Sequence, residues 1–140
     1  MDNSTTTATA GTALNALAAG RVLLAVAALA APTQFARLVG VRPSAELTYM
    51  TRIYGGRALA MGLAYLTGGQ TERRRWKRFG LMVDTTDTIT GIAHVVRRDL
   101  PLRAALSMVL LTGSYAAIGA ADVASEHHVR RRLSVTNVAA

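Results

Sequence analysis

The chain contains no cysteine, and this absence limits its chemistry. Disulfide bonds, thiolate nucleophiles and cysteine metal sites are all excluded, so any metal would need histidine or carboxylate ligands. Charge is also scarce, since 17% of the residues are charged against about 25% in soluble globular proteins. Apolar residues make up 51% and aromatic residues only 5%, with abundant alanine and glycine. This composition favours helices in lipid that approach one another through small side chains.

Acidic residues are half as numerous as basic ones, 8 against 16, which gives a formal net charge of +8. Such a balance raises nucleic-acid binding as a first hypothesis. However, each basic cluster flanks an apolar segment, and no recognition fold or aromatic stacking platform accompanies the charge. This placement is typical of helix ends that meet anionic lipid headgroups, so we expect no nucleic-acid partner. The clusters are Arg73, Arg74, Arg75, Lys77 and Arg78; Arg97, Arg98 and Arg103; and Arg130, Arg131 and Arg132.

Four apolar segments of membrane length account for most of the chain. They are residues 13–31, 48–69, 79–96 and 104–121. The last segment carries no charge and meets the length rule for a spanning helix by itself. The second has a stripe of small residues at helical spacing, which predicts a face that packs on a neighbouring backbone. The stripe consists of Gly55, Ala58, Gly62 and Gly69. We therefore predict an all-α fold, an integral membrane bundle of four transmembrane helices, over residues 13–122.

Both ends of the chain are polar. Residues 1–12 are rich in Ser and Thr and lack the basic residue with which a secretory signal begins, so we predict a disordered leader before an uncleaved first helix. Residues 123–140 are basic and then small and polar, which predicts a disordered tail. With four spans both termini share one side, and this side collects more Lys and Arg than the other. The positive-inside rule then predicts a multi-pass protein of the cell membrane with cytoplasmic termini.

Two carboxylates interrupt the third segment, where Asp84 and Asp87 lie one helical turn apart. On an insertion scale the two aspartates disfavour membrane insertion by about 5–7 kcal/mol, whereas their apolar neighbours favour it by about 2–4 kcal/mol. This segment therefore needs the rest of the bundle in order to insert. Helical spacing puts both aspartates on one stripe with Gly91, His94 and Arg98, so the segment turns a polar face inward.

Two arginines in other segments are placed to neutralise these carboxylates. Counted from the cytoplasmic helix ends, Asp84 and Asp87 lie at depths of about 7 and 12 Å. Arg21 is level with Asp87 at about 12 Å, and Arg57 lies deeper, at about 18 Å. Because an unpaired charge is costly in the membrane, we predict that the two arginines face the two aspartates. The predicted polar cluster consists of Arg21, Arg52, Arg57, Asp84, Asp87 and His94.

Two interpretations of this cluster remain open. It can hold the helices in register, or it can form a polar pocket that binds a ligand or relays a proton. The sequence from Asp84 to Asp87 superficially resembles the magnesium motifs of membrane prenyltransferases, but a second motif is missing. His94 and the two carboxylates spread over three turns, which is poor geometry for one ion, so we expect no metal and no cofactor. Ser107 and Ser114 lack a general base at helical spacing, which argues against a serine nucleophile.

One ordered set of residues runs along the chain: Gly20, Arg21, Pro32, Phe35, the turn at residues 39–41, Arg52, Arg57, Gly62, Asp84 and Asp87. In this order they resemble one family, the small bacterial and fungal four-helix membrane proteins grouped as domain of unknown function 4267. The resemblance covers about residues 13–121. In the family pattern an acidic residue often follows the second arginine, where this chain has Ala58. The resemblance implies a fold and no activity, and it directs attention to Arg57 and the aspartate stripe.

Three functional hypotheses follow. The first is a small non-enzymatic membrane protein that binds a lipophilic ligand or serves as a subunit of a membrane complex. Its partners would be the lipid bilayer, a lipophilic small molecule and further copies of the chain. The alternative is a membrane-embedded isomerase or cyclase, with Asp84 or Asp87 as general acid or base and Arg57 stabilising negative charge. A third, a proton-coupled transporter subunit, requires oligomers because four helices enclose little space.

Overall fold

The computed structural model describes residues 3–138, with side chains described for residues 11–125. The described residues form five helices and no strand, so the predicted all-α class is confirmed. Two stretches are long and apolar enough to cross a membrane, Gly11–Ala30 and Leu102–Ser125. They are fewer than the predicted four, so four transmembrane helices stay a prediction. The helices are α1 (Asn3–Ala30), α2 (Pro32–Leu38), α3 (Ala45–Thr67), α4 (Gln70–Arg97) and α5 (Leu102–Val138).

The short helix α2 lies in the first connection, where the sequence analysis predicts none. Pro32 is its first residue. Proline suits the first turn of a helix because N–H groups there have no intrahelical acceptor, and because its ring fixes φ near the helical value. The residue before it, Ala31, leaves helical geometry at φ −135°, so α1 ends at Ala30 as the proline suggests. Beyond α2, Gly40 adopts φ +88°, a left-handed turn that favours glycine. Ser44 then caps the start of α3, since its side chain accepts a hydrogen bond from Leu47 N at 3.1 Å.

Helix α4 begins well before the predicted third segment. The basic residues from Arg73 to Arg78, which flank the predicted segment 79–96, lie inside this helix. Residues 70–79 contain no Gly or Pro, and Arg and Lys are good helix formers. Arg73 also links the two helices, since its Nε donates to Gly68 O at 2.9 Å and its Nη2 donates to Leu66 O at 3.1 Å. These bonds satisfy carbonyl groups that the end of α3 leaves without helical partners.

The two long terminal helices continue into the predicted leader and tail. Helix α1 begins at Asn3, and α5 extends past residue 121, where the predicted fourth segment ends. The side chains of residues 1–10 and 126–140 lie outside the described ones. The predicted disorder of residues 1–12 and 123–140, and the domain boundaries that depend on it, therefore stay predictions.

The four long helices form a ring of neighbours. Helix α1 packs on α3 and α4 packs on α5, while α3 against α4 and α5 against α1 close the ring. Helices α1 and α4 are diagonally opposite, and among the described residues no Cα atoms of the two approach within 8 Å. The same holds for α3 and α5. The interior of the bundle is therefore crossed by side chains along its diagonals.

The α1–α3 interface is built from small residues. Gly55, Ala58 and Gly62 are buried there, so the predicted packing face is confirmed at these positions. A Cβ added at Gly62 would lie 3.1 Å from Ala18 O, which shows how closely the two backbones approach. Gly69 does not belong to this face, because it is exposed and precedes the first residue of α4.

Large apolar side chains lie on the outside of the bundle. Among the described residues no large side chain is fully buried, and the buried apolar side chains, apart from Pro32, are all alanines. Leu23 and Leu110 are each 71% exposed, and Val96 is 75% exposed. Only 17% and 22% of the two membrane-length stretches are buried, unlike the core helix of a soluble protein. An apolar surface of this extent needs lipid or another protein to cover it.

Candidate functional site

A buried ion pair joins α1 to α4 across a diagonal of the bundle. Arg21 Nη2 lies 2.5 Å from Asp84 Oδ2, and the two side chains keep 16% and 8% of their accessible surface. The Arg21 guanidinium also stacks over the Tyr115 ring, 4.8 Å from its centroid. Gly20 leaves space for this ring, since a Cβ there would lie 3.0 Å from the Tyr115 hydroxyl. Residues from α1, α4 and α5 thus converge on one interior charge pair.

A second ion pair lies one helical turn along α4. Arg57 Nη2 of α3 lies 2.9 Å from Asp87 Oδ2, but this pair is more open, with 47% and 30% of the side-chain surface accessible. The Arg57 guanidinium lies 5.7 Å from the centroid of the Tyr54 ring. Unlike the first pair, it joins two neighbouring helices. It therefore lies at an edge of the bundle and not at its centre.

These two contacts bring together the four residues predicted to neutralise one another. The relative depths of the arginines and aspartates differ from the predicted ones. The prediction that Arg21 lies level with Asp87 is wrong, because Arg21 pairs with Asp84 and Arg57 takes Asp87. Depths counted from apolar segment ends place Asp84 too near the surface, since α4 extends further toward that side. The two arginines are nevertheless in the predicted order along the bundle.

Two predicted members of the cluster lie elsewhere. Arg52 is exposed on α3, and no ion pair of its side chain occurs among the described residues. His94 lies near the end of α4, where its Nδ1 is 2.7 Å from Asp99 Oδ1 in the following connection. This hydrogen bond holds the pKa of Asp99 below its ordinary value. Arg98, predicted on the same helical stripe, follows the end of α4 in a left-handed conformation at φ 56°.

A third ion pair, not predicted from the sequence, joins α4 to α5. Lys77 Nζ contacts Asp122 Oδ2, and both side chains are nearly buried. In the sequence, Lys77 belongs to a basic run that resembles headgroup anchors, and Asp122 only ends a charge-free segment. The sequence did contain one signal for this pair. Asp122 is an isolated acidic residue at the end of an apolar segment, and such a residue needs a basic partner if its side chain faces the bundle interior.

Hydroxyl groups complete the polar interior. Thr88 Oγ1 on α4 lies 2.9 Å from Thr112 Oγ1 on α5, close to the Asp84 turn. Ser107 and Ser114 donate to the backbone oxygens of Arg103 and Leu111, as hydroxyls in apolar helices commonly do. Among the described residues no buried side-chain nitrogen or oxygen lacks a hydrogen-bond partner. Both serine hydroxyls are thus engaged with the backbone.

A cavity of about 60 Å³ reaches the Arg21–Asp84 pair from the end of the bundle where α4 begins. Its wall includes Tyr65, Trp76 and Tyr115. A volume of this size holds a few water molecules, whereas pockets for small molecules occupy about 300–1,000 Å³. This cavity can therefore hydrate the charge pair, and it is smaller than a pocket that encloses a small molecule.

Among the described residues, no three side chains of His, Asp or Glu gather where they could hold an ion. Asp84 and Asp87 each contact an arginine, so their negative charge is already compensated. The chemistry that this arrangement performs most directly is mutual neutralisation of four charges.

Comparison with protein-family models, with curated proteins and with solved structures gives no match. The resemblance to domain of unknown function 4267 therefore stays a prediction.

Proposed function

We propose that this chain is a small multi-pass membrane protein in which α1, α3, α4 and α5 span the bilayer and the Arg/Asp pairs brace the bundle. It acts as a non-enzymatic subunit of a membrane complex or binds a lipophilic molecule on its outer faces. The observation that carries this proposal is the Arg21–Asp84 pair, buried inside a bundle whose outside is apolar. In a soluble protein this distribution would be reversed.

The lengths of the two less apolar helices support four spans. Helix α3 has 23 residues, or roughly 34 Å at 1.5 Å per residue, and α4 has 28. Both exceed the hydrocarbon thickness of about 30 Å. Charged residues lower their hydropathy, but Arg57, Asp84 and Asp87 are neutralised in pairs within the bundle. These helices then enter the membrane as partners of α1 and α5 and not alone.

The proposed orientation places both termini in the cytoplasm. The end of the bundle where α4 begins carries exposed Arg74, Arg75 and Arg78, which suit the anionic headgroups of the inner leaflet. Lys77 of the same run turns inward to Asp122. We further propose membership of domain of unknown function 4267, because four of the residues that carry the resemblance, Arg21, Arg57, Asp84 and Asp87, form the two ion pairs.

One observation favours a second candidate function, an isomerase or cyclase acting on a hydrophobic substrate. The cavity of about 60 Å³ reaches Asp84, Arg21 and Tyr115, which would place an acidic and a phenolic group beside an apolar substrate. Such an enzyme would have to enlarge the cavity and release Asp84 from Arg21. The first proposal needs neither change.

Extraction and labelling test the membrane proposal. The protein should stay in the membrane pellet after alkaline carbonate treatment, and reporters fused within residues 68–69 and at the carboxyl terminus should both report cytoplasm. Release into the carbonate supernatant, or detergent-free monodisperse protein, would contradict it. Isosteric Asp84→Asn and Asp87→Asn variants then separate the functions. A structural role predicts lost stability, whereas an enzyme predicts normal accumulation of folded protein and a missing product.

A further inference from the structure

The Arg57–Asp87 pair opens onto the outer face of the bundle, between α3 and α4. Arg57 keeps 47% of its side-chain surface and Asp87 keeps 30%. Arg57 also lies near the middle of α3, at roughly 15 Å from the nearer helix end. In a spanning helix this depth is the centre of the hydrocarbon, where an exposed charge is most costly. Such a pair needs a cover that lipid chains do not provide.

We propose that a second copy of the chain covers this face, related to the first by a two-fold axis along the membrane normal. The inference rests on the proposed membrane insertion. It concerns the face formed by Ile53, Gly56, Arg57, Ala60 and Asp87, which we term the α3–α4 face.

Charge placement makes the α3–α4 face complementary to itself. Arg57 Nη2 and Asp87 Oδ2 are 2.9 Å apart, so the two charged groups lie side by side at nearly one depth. When two copies meet face to face about an axis along the membrane normal, left and right are exchanged. Arg57 of each copy then lies opposite Asp87 of the other, which creates four charges of alternating sign. An unrelated partner would need to supply the same alternation independently, and a headgroup does not reach this depth.

The backbone around Arg57 leaves space for this approach. A Cβ added at Gly56 would meet no atom within 4 Å, and Gly56 and Ala60 are both exposed. Ile53, which is 49% exposed, lies one turn before Arg57 on the same side of α3. Small exposed residues beside the charge pair allow two helices to come close enough for the guanidinium and carboxylate groups to meet.

The other outer faces lack these features. Leu23 on α1 and Leu110 on α5 are each 71% exposed and apolar, so lipid chains cover them adequately. The described part of the chain thus offers one outward-facing site at mid-helix depth where a charge pair needs cover. This contrast supplies the control for the experiment.

Disulfide cross-linking tests the interface, and the cysteine-free chain makes it direct. Gly56→Cys and, as the matched control, Leu110→Cys are expressed singly, and membranes are oxidised mildly after dilution with excess lipid. The Gly56→Cys protein should form a covalent dimer of twice the chain mass. The Leu110→Cys protein should cross-link only to the low extent that random collisions in the membrane produce. Equal cross-linking at both positions, none at either, or a Gly56→Cys adduct with a different protein would each overturn the proposal.

Charge exchange tests the alternation of charges. In the Gly56→Cys background, Arg57→Asp makes the face wholly acidic and Asp87→Arg makes it wholly basic, so each alone should lose dimer cross-linking. Co-expression of the two should restore it, with the mixed dimer as the product. If neither single variant accumulates, a mixed pair that does accumulate and cross-links still supports the interface. Failure of the mixed pair to cross-link, with both chains present in the membrane, would overturn it.

The failure of this inference is separable from that of the membrane proposal. Protein released by carbonate contradicts membrane insertion, and the dimer argument falls with it. Protein that stays in the membrane fraction but does not cross-link at Gly56→Cys contradicts the dimer alone.

Discussion

At the α1–α3 interface, glycine and alanine let two backbones come together, whereas the junction between the α1–α3 pair and the α4–α5 pair is crossed by charged side chains. Gly55 and Gly62 illustrate the first region, since each would place an added Cβ 3.1 Å from a backbone oxygen of α1. Arg21 and Asp84 illustrate the second, since they meet although the Cα atoms of α1 and α4 stay more than 8 Å apart.

This difference shows which contacts each kind of residue can make. Dispersion forces act only at close range, so small residues stabilise helices that are already neighbours. A long arginine reaches a carboxylate across the bundle, so a charge pair can link helices that share no backbone contact. Substitutions should therefore destabilise the two regions for different reasons. In the first region an added group causes steric overlap, and in the second a removed partner leaves an uncompensated charge.

The largest expected effect comes from breaking the diagonal pair. Asp84→Leu should destabilise the bundle by about 3–5 kcal/mol, because it leaves Arg21 charged and buried. Arg21→Leu combined with Asp84→Leu should recover most of this loss, since no lone charge remains. Detergent unfolding followed by the fluorescence of Trp76, the one tryptophan, measures both. Simple addition of the two single losses would show that the pair is not coupled.

The second effect concerns close packing. Gly62→Ala should cost about 1–3 kcal/mol, because overfilled interfaces force shifts in their neighbours. Its added methyl would lie 2.7 Å from Val22 Cγ2. Gly56→Ala on the same helix is the control, since its methyl meets no atom within 4 Å, and in dilute detergent it should stabilise by up to about 1 kcal/mol through helix propensity. The same unfolding titration compares them. Equal losses would mean that backbone approach does not define this region.

A smaller effect is expected at the more open Arg57–Asp87 pair. In detergent, Asp87→Asn should cost about 1 kcal/mol, because solvent screens much of the charge that remains on Arg57. Asp87→Asn with Arg57→Gln should cost less than Asp87→Asn alone. Measured by the same titration, identical losses from the single and double variants would show that these residues do not act as a pair.

The smallest effect lies outside both regions, in the connection after α4. His94→Ala should raise the pKa of Asp99 toward its ordinary value, because the hydrogen bond from His94 is the main cause of its lowered pKa. Carboxyl-carbon NMR across an acid titration measures this change. Since the folded pKa is depressed, the contact contributes stability above the unfolded carboxyl pKa and loses it as pH falls through the folded value. An unchanged Asp99 pKa in the variant would contradict the assignment.

The sequence predicts those parts of the architecture that depend only on helical periodicity, such as which residues share one face of a helix. The stripe containing Gly55, Ala58 and Gly62 follows from 3.6 residues per turn, and the structure buries those positions. Gly69 has the same spacing but falls outside because α3 ends at Thr67. Spacing therefore identifies a face, but it does not say where the helix stops.

Charge pairing could be predicted in kind but not in detail. Two arginines and two aspartates in apolar segments require partners, and all four find them within the bundle. The register depends on where each helix starts, and α4 starts earlier than its apolar composition indicates. The Lys77–Asp122 pair was missed for the same reason, since a basic run predicted to meet lipid headgroups was not expected to supply an interior lysine.

The sequence by itself determined an all-α chain with small residues for close helix contact and paired charges in apolar surroundings. Those properties depend on composition and local spacing. Only the tertiary structure decided that Arg21 reaches Asp84 across the bundle, that Arg57 and Asp87 stay open at its edge, and that His94 turns to Asp99. Each of these outcomes depends on how helices far apart in sequence are placed side by side, which helical periodicity does not specify.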